Sequence, residues 1–87
     1  MSEDKFKKFI DLLDQNYTWP DYYFFKFIVP VESKEVVLSH LEGYQIELKE
    51  SNKGNYVSIT AKKIITHSQE VIVIYEKIST IKGVLSL

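Results

Sequence analysis

Apolar and polar positions alternate along the chain with two periods, and these periods predict the order of helices and strands. At the N-terminal end, apolar residues recur at helical spacing and predict an amphipathic helix over Glu3–Gln15. Residues 22–29 are dominated by aromatic and β-branched side chains, which favour a strand. Both faces of this strand are apolar except at Lys26, so we expect it to be central and covered on both sides.

The middle of the chain predicts a short helix followed by a β-hairpin. Pro30 ends the first strand, Ser33 offers an N-cap, and Gly43 is placed to end the helix between them. Residues 44–50 alternate as a half-exposed edge strand, and residues 51–55 form a turn. The returning strand runs from Tyr56 to about Ile65.

The last third predicts a second core helix and a closing strand. Residues 66–69 (Thr-His-Ser-Gln) have the spacing of a capping box, in which Gln69 would bond back to the start of the helix. Val71, Ile74, Tyr75 and Ile78 then follow at helical spacing. Lys82-Gly83 turns the chain into a last short strand at residues 84–87.

This order predicts an α+β fold, a ferredoxin-like βαββαβ sandwich with an extra N-terminal helix. Right-handed crossovers favour an antiparallel sheet in the order 4-1-3-2, with both core helices on one face. The 87 residues fit one domain, in which residues 1–18 form the N-terminal helix and connector and residues 19–87 the ferredoxin-like core.

Composition narrows the classes of function. The net charge is −1, so the chain has no long-range positive field that would attract nucleic acid. All eleven basic residues are lysine, so no arginine is present to form bidentate hydrogen bonds with phosphate. The absence of cysteine excludes disulfides and thiol chemistry, and no apolar run is long enough to span a membrane. We therefore expect a cytoplasmic protein with no membrane contact and no cofactor.

The second half of the chain resembles a family of small bacterial proteins. Lys53-Gly54-Asn55-Tyr56, Ser58, Thr66-His67, Tyr75 and the terminal residues 84–87 resemble the uncharacterised YbeD-like family, as does Trp19-Pro20 before the first strand. The resemblance runs from about Trp19 to the end of the chain and is densest from Ser51 to Tyr75. It implies a ferredoxin-like fold close to the ACT domains, which bind small regulatory ligands, and it implies no activity.

Two segments are candidate contact sites for a ligand or partner, each with a purely structural alternative. An ACT-like site would use the loop after the first strand, whose amides could hold an anion, although it lacks the Gly and Asp that usually shape such a pocket. The alternative is an ordinary strand-to-helix connection capped by Ser33. The hairpin segment is either a contact loop or a turn that needs its glycine. The candidate residues are Val29, Pro30, Val31, Glu32, Ser33, Lys53, Gly54, Asn55 and Tyr56.

No catalytic or metal-binding pattern is recognisable in the sequence. His40 and His67 lie far apart without a carboxylate at metal-site spacing, and no phosphate loop or nucleophile motif occurs. The RNA-recognition motif shares this fold, and residues 53–57 weakly resemble its basic-Gly-aromatic signature. However, Ser58 and Thr60 stand where stacking aromatics are needed, which disfavours nucleic acid.

The face of the sheet opposite the two core helices carries apolar residues that monomers rarely leave exposed. Tyr22, Phe24, Ile28 and Tyr56 belong to it. Either the N-terminal helix or a second chain could cover them, and we expect the helix to do so. The sequence thus favours a non-enzymatic regulatory or adaptor module, monomeric or homodimeric, that binds a protein partner or a small ligand. An ACT-like sensor of an amino acid or metabolite is the alternative, and RNA binding on the open face is the least favoured.

Overall fold

The computed structural model contains the helices and strands in the order that the sequence predicts. The structure describes residues 2–51 and 53–87, with side chains from Phe6 onward in the first helix. A single turn of 3-10 helix, Val31–Ser33, precedes the second helix. The helices are α1 (Ser2–Asn16), α2 (Lys34–Ser39) and α3 (Ser68–Ser79), and the strands are β1 (Asp21–Pro30), β2 (Gln45–Glu50), β3 (Tyr56–Ile65) and β4 (Leu85–Ser86).

The four strands form one antiparallel sheet in the order β2-β3-β1-β4. This is the predicted order 4-1-3-2 seen from the other edge, so the ferredoxin-like fold is confirmed. The long central strands pair along ten positions, from Asp21 opposite Ile65 to Pro30 opposite Tyr56. By contrast, β4 reaches β1 only at Phe27 and Ile28. The β1–β3 ladder is therefore the longest pairing in the sheet.

One face of the sheet forms the hydrophobic core with the helices. Phe25, Phe27 and Val29 of β1 point toward it, and alternate residues of β3 lie beside them. Helices α2 and α3 cover this face with their apolar stripes. The core contains Leu13, Phe25, Phe27, Val29, Val37, Leu41, Val57, Ile59, Ala61, Ile65, Val71, Ile74 and Ile78.

The other face of β1 is open, which corrects the expectation that this strand is covered on both sides. Tyr22 is 46% exposed and Phe24 is 59% exposed, although Phe24 directly precedes the fully buried Phe25. We call this surface the open face. It consists of the outward residues of all four strands and lies opposite the helices.

Helix α1 lies on the core side, so the expectation that it covers the open face is wrong. Leu13 is buried in the same core as the sheet residues, and the ring of Phe9 lies 5.6 Å from that of Tyr75 on α3. The indole N–H of Trp19 donates to a carboxylate oxygen of Asp14 at 3.0 Å, which ties the connector back to the helix. The apolar stripe of α1 therefore extends the core.

The structure differs from the predicted elements in the start of α2 and in the exposure of β2. The chain enters α2 through the 3-10 turn, in which the Lys34 N–H donates to the Val31 carbonyl oxygen. The Ser33 side chain makes no capping hydrogen bond there. In β2 every residue is exposed, although Ile46 and Leu48 lie on the core side of the sheet.

The capping of α3 uses Glu70, and the prediction for Gln69 is wrong by one residue. His67 occupies the N-cap position, and the Glu70 carboxylate accepts hydrogen bonds from the Thr66 backbone N–H at 3.0 Å and from the Thr66 hydroxyl. These hydrogen bonds lower the pKa of Glu70, with help from nearby Lys63. The ionised carboxylate therefore anchors the start of α3.

Replacing Glu70 by glutamine should make the stability of the protein less dependent on pH. Because its pKa is lower in the folded state, the ionised form stabilises the protein above the pKa of the unfolded chain, and this contribution disappears as pH falls through the folded pKa. We expect Glu70→Gln to lower the free energy of unfolding by about 0.5 kcal/mol at pH 7, at the low end for a helix cap. On acidification to pH 3, the variant should then lose less stability than the wild type does. Thermal unfolding at both pH values measures this.

The matched control for this prediction is Glu76→Gln on the exposed side of the same helix. This variant should keep the pH dependence of the wild type. An equal loss of pH dependence in both variants would show that the carboxylate of Glu70 has no special role.

Candidate functional site

Three chain connections meet at one end of the sheet, and every candidate contact residue lies in them or in the adjoining strand ends. Strand β1 ends at Pro30, directly opposite Tyr56 at the start of β3. The β2–β3 hairpin lies at the same end, because β2 stops at Glu50 opposite Val57. The α3–β4 turn completes the set, since Gly83 approaches Pro30. We call this region the sheet end.

A backbone hydrogen bond joins the two candidate segments directly. The Val31 N–H donates to the Asn55 carbonyl oxygen at 3.0 Å, so the β1–α2 connection is fastened to the hairpin. The predicted anion site at this connection is therefore weakened, because the Val31 amide is already bonded. Helix α2 is also only six residues long and contributes little dipole.

The hairpin is held by bonds around Ser51. The Gly54 N–H donates to the Ser51 carbonyl at 3.0 Å, and the Ser51 N–H donates to the Tyr56 carbonyl at 2.9 Å. The Tyr56 N–H in turn donates to the Ser51 hydroxyl oxygen at 3.2 Å. Gly54 has a φ of +73°, as the predicted turn requires. Asn52, which belongs to the predicted turn, lies outside the described residues.

Gly83 brings the third connection close to the other two. Its φ is +85°, and a Cβ atom at this position would lie 2.9 Å from Cγ of Pro30. Both its backbone conformation and this approach therefore require glycine. The turn places the start of β4 beside Ile28.

The candidate residues differ in how accessible they are. Val29 is fully buried, so it belongs to the core and cannot contact a ligand. Pro30 and Ser33 are half-buried. The remaining six are exposed, namely Val31, Glu32, Lys53, Gly54, Asn55 and Tyr56. Four of them, Val31, Glu32, Asn55 and Tyr56, line one surface hollow together with Pro30.

The Tyr56 side chain lies between two shallow hollows. One, of about 330 Å³, is lined by the candidate segments themselves, from Pro30 to Glu32 and at Asn55. The other, of about 430 Å³, opens on the open face and is lined by Ile28, Lys49, Glu50, Ser51, Tyr56 and Ser58. Both volumes fall at the low end for small-molecule pockets.

Tyr56 was a candidate contact residue and Ile28 was expected on the open face, whereas the other residues that line the second hollow were not among the candidates. Ile28 and Ser58 are paired across β1 and β3, and Lys49 pairs with Ser58 from the other side. The predicted hairpin could have indicated this lining, because its register places Ile28, Ser58 and Lys49 in one row across the sheet. The approach of Gly83 to Pro30 had no such signal, since it depends on how α3 packs.

The side chains of the sheet end can make both apolar and polar contacts. Its exposed side chains offer apolar contact from Val31, an aromatic ring from Tyr56, an amide from Asn55 and a carboxylate from Glu32. Among residues 2–51 and 53–87, no group of three or more His, Asp or Glu side chains is placed to hold a metal ion.

Other polar groups of interest lie away from this region. The Tyr23 and Tyr75 hydroxyls are 3.3 Å apart between β1 and α3, and burial together with this hydrogen bond raises the pKa of Tyr23. The hydrogen-bonded hydroxyls link β1 to α3. His67 is exposed at the start of α3, and His40 ends α2 beside Glu76 and Lys77.

One known protein family matches most of the chain. A family model described as "protein of unknown function (DUF493)" matches residues 23–87, well over half of the chain. The chain belongs to the DUF493 family. No curated protein and no solved structure matches it.

The DUF493 match includes both candidate segments and the whole sheet apart from the first two residues of β1. Helix α1 precedes the matched region, so the sheet end belongs to the family core while α1 does not. Within the described part of the chain, no helix is long and apolar enough to cross a bilayer.

Proposed function

We propose that this DUF493 protein is a non-catalytic adaptor or regulatory module of the cytoplasm, which contacts a protein partner through the sheet end. The observation that carries the proposal is the hydrogen bond from Val31 to Asn55, which fastens the two candidate segments into one exposed surface. A surface held by backbone bonds at the end of a rigid sheet is suited to recognition.

The accessibility of this surface favours a protein partner over an enclosed small ligand. Pockets that bind small molecules usually bury most of the ligand's surface. Here the Val31 and Tyr56 side chains are each more than 40% exposed, and the hollow between them is shallow. An aromatic side chain in such a position is a common anchor of protein interfaces.

Position-specific photo-crosslinking tests this proposal in cells that express the full chain. A photoreactive residue in place of Asn55 should form a crosslink to one protein, and the crosslink should disappear when Val31→Glu is added. The same photoreactive residue at Val36, exposed on α2, is the control and should give no such crosslink. Identical products from positions 55 and 36 would contradict the proposal.

The second candidate is an ACT-like sensor of an amino acid or metabolite, consistent with a YbeD-like character of this family. Its support is the hollow at the β1–α2 connection, where an ACT-like site would lie. A thermal-shift screen against amino acids and common metabolites separates the two functions. A reproducible rise in Tm with one compound, lost in Asn55→Ala, favours the sensor, whereas no rise across the panel favours the adaptor.

A further inference from the structure

The open face combines exposed apolar side chains with positive charge. Opposite residues in neighbouring strands point to the same face, so the register assigns its members. Phe24 lies opposite Lys62, Lys26 opposite Thr60, and Ile28 opposite Leu85, which is 62% exposed. The apolar members are Tyr22, Phe24, Ile28, Tyr56, Ile64 and Leu85.

The charge of this face is opposite to that of the rest of the molecule. Of the residues that the strand register places on the open face, Lys26, Lys49 and Lys62 are basic and Glu47 is acidic, which gives a formal charge of +2. Glu50, at the end of β2, faces the other way by register and reaches only the rim of the hollow beside Tyr56. Because the whole chain has a net charge of −1, all other residues together carry −3. None of these three lysines forms an ion pair with a carboxylate within the described residues.

This charge argues against a second copy of the chain as the cover of the open face. Two copies stacked face to face would bring two surfaces of charge +2 together and desolvate lysines with too few carboxylates to pair them. Such like-charge contacts oppose association. A partner that brings its own carboxylates avoids this cost.

Single-stranded RNA is also negative, but the open face suits it poorly. The Lys62 ammonium lies 4.5 Å from the centre of the Tyr22 ring and 5.4 Å from that of Phe24. A base would have to displace this lysine before it could stack on either ring. Ile28, Ile64 and Leu85 offer no flat ring for stacking, whereas aliphatic side chains of a protein would pack on them.

The spacing of the apolar residues indicates the shape of the partner. Tyr22, Phe24 and Ile64 form one apolar cluster, Ile28 and Leu85 form another, and Lys26 lies between them on β1. From Tyr22 to Ile28 a strand rises about 20 Å. A helix covers about 20 Å with roughly 13 residues. Helices also cover the opposite face of this sheet, as expected where layers of secondary structure pack.

We propose that the open face binds an acidic amphipathic helix of a partner protein. The apolar stripe of that helix packs on the two clusters, and its flanking aspartates and glutamates pair with Lys26 and Lys62. The two apolar clusters, Lys26 and Lys62 lie outside the sheet end, which shares Tyr56 with the open face, so either proposal can fail without the other.

Fluorescence anisotropy with two labelled synthetic peptides tests the proposal on the full-length protein. Both peptides form an amphipathic helix with the same leucine stripe, and one has glutamate and the other lysine at every flanking position. We expect the acidic peptide to bind and the basic peptide not to bind. Lys26→Glu should weaken binding of the acidic peptide about tenfold, and Phe24→Asp should abolish it.

Two control variants on the helical side of the molecule test whether the loss of binding is specific to the open face. Lys77→Glu reverses an exposed charge on α3, and Val36→Asp places a charge at a half-exposed valine on α2. Both should bind the acidic peptide as the wild type does. Because Phe24 and Lys26 are themselves exposed, their variants should fold, which thermal unfolding checks.

Four results would overturn the proposal. They are equal or stronger binding of the basic peptide, no binding of either peptide, a concentration-dependent dimer in sedimentation that Phe24→Asp abolishes, and displacement of the acidic peptide by a single-stranded RNA oligonucleotide. Loss of the sheet-end crosslink in Val31→Glu, with peptide binding unchanged, would separate the two surfaces experimentally.

Discussion

Replacing Phe25 by alanine should lower the free energy of unfolding by about 3–5 kcal/mol, the range for a large buried aromatic residue. The Phe25 side chain is 0% exposed. Its ring contacts those of Tyr23, Phe27, Tyr44 and Tyr75, with centroids 4.9 to 5.9 Å apart. Truncation therefore removes apolar burial and several edge-to-face contacts at once. Urea denaturation followed by circular dichroism measures the loss.

The adjacent residue on the same strand provides the control. Phe24 has the same side chain but faces the other way and is 59% exposed. Phe24→Ala should therefore change stability by less than about 1 kcal/mol. Small domains have only about 5–15 kcal/mol of stability, so Phe25→Leu serves as a milder variant if the alanine protein does not fold. Similar losses at both positions would show that the two faces of β1 are equally buried.

The contrast between these two phenylalanines shows what the sequence could and could not determine. Strand periodicity places Phe24 and Phe25 on opposite faces, and chain topology puts β1 beside β3. Both predictions are confirmed. However, both faces of the strand are apolar, so hydrophobicity alone could not tell which one is open. That choice depends on where the helices pack, and the expectation that both faces are covered is wrong.

The sheet end was partly predictable from the predicted pairing of the strands. A predicted hairpin before β3 and a predicted β1–β3 pair necessarily bring Pro30 near Tyr56, so the two candidate segments meet. The hydrogen bond between Val31 and Asn55 follows from that register. The burial of Val29 was also implicit, because it shares the face of Phe25 and Phe27. The contribution of Gly83 required the position of α3, which local patterns do not contain.

Helix α1 is the element whose place the sequence left open. Its apolar stripe identified a helix correctly but fits either side of the sheet equally well. The structure places it against α3, where Phe9 meets Tyr75. Since the family match starts only at Tyr23, this helix extends the core from outside the matched region. Its packing leaves the open face free, which the proposed helical partner requires.

Replacing Leu13 by alanine should lower the free energy of unfolding by about 2–4 kcal/mol, because α1 packs into the core through this residue. The Leu13 side chain is only 5% exposed and belongs to the same cluster as Phe25 and Ile78. Its neighbour Leu12 is 56% exposed, so Leu12→Ala should cost less than about 0.5 kcal/mol. Thermal and urea unfolding of both variants measure the difference.

The same pair of variants also tests where α1 lies. If α1 packs on the core side, Leu13→Ala weakens the protein while binding of the acidic peptide to the open face stays unchanged at temperatures where the variant is folded. If α1 instead covered Tyr22 and Phe24, the weakened helix would release them, and Leu13→Ala would bind the peptide more tightly than the wild type. A tighter complex would therefore contradict both the assigned position of α1 and the free open face.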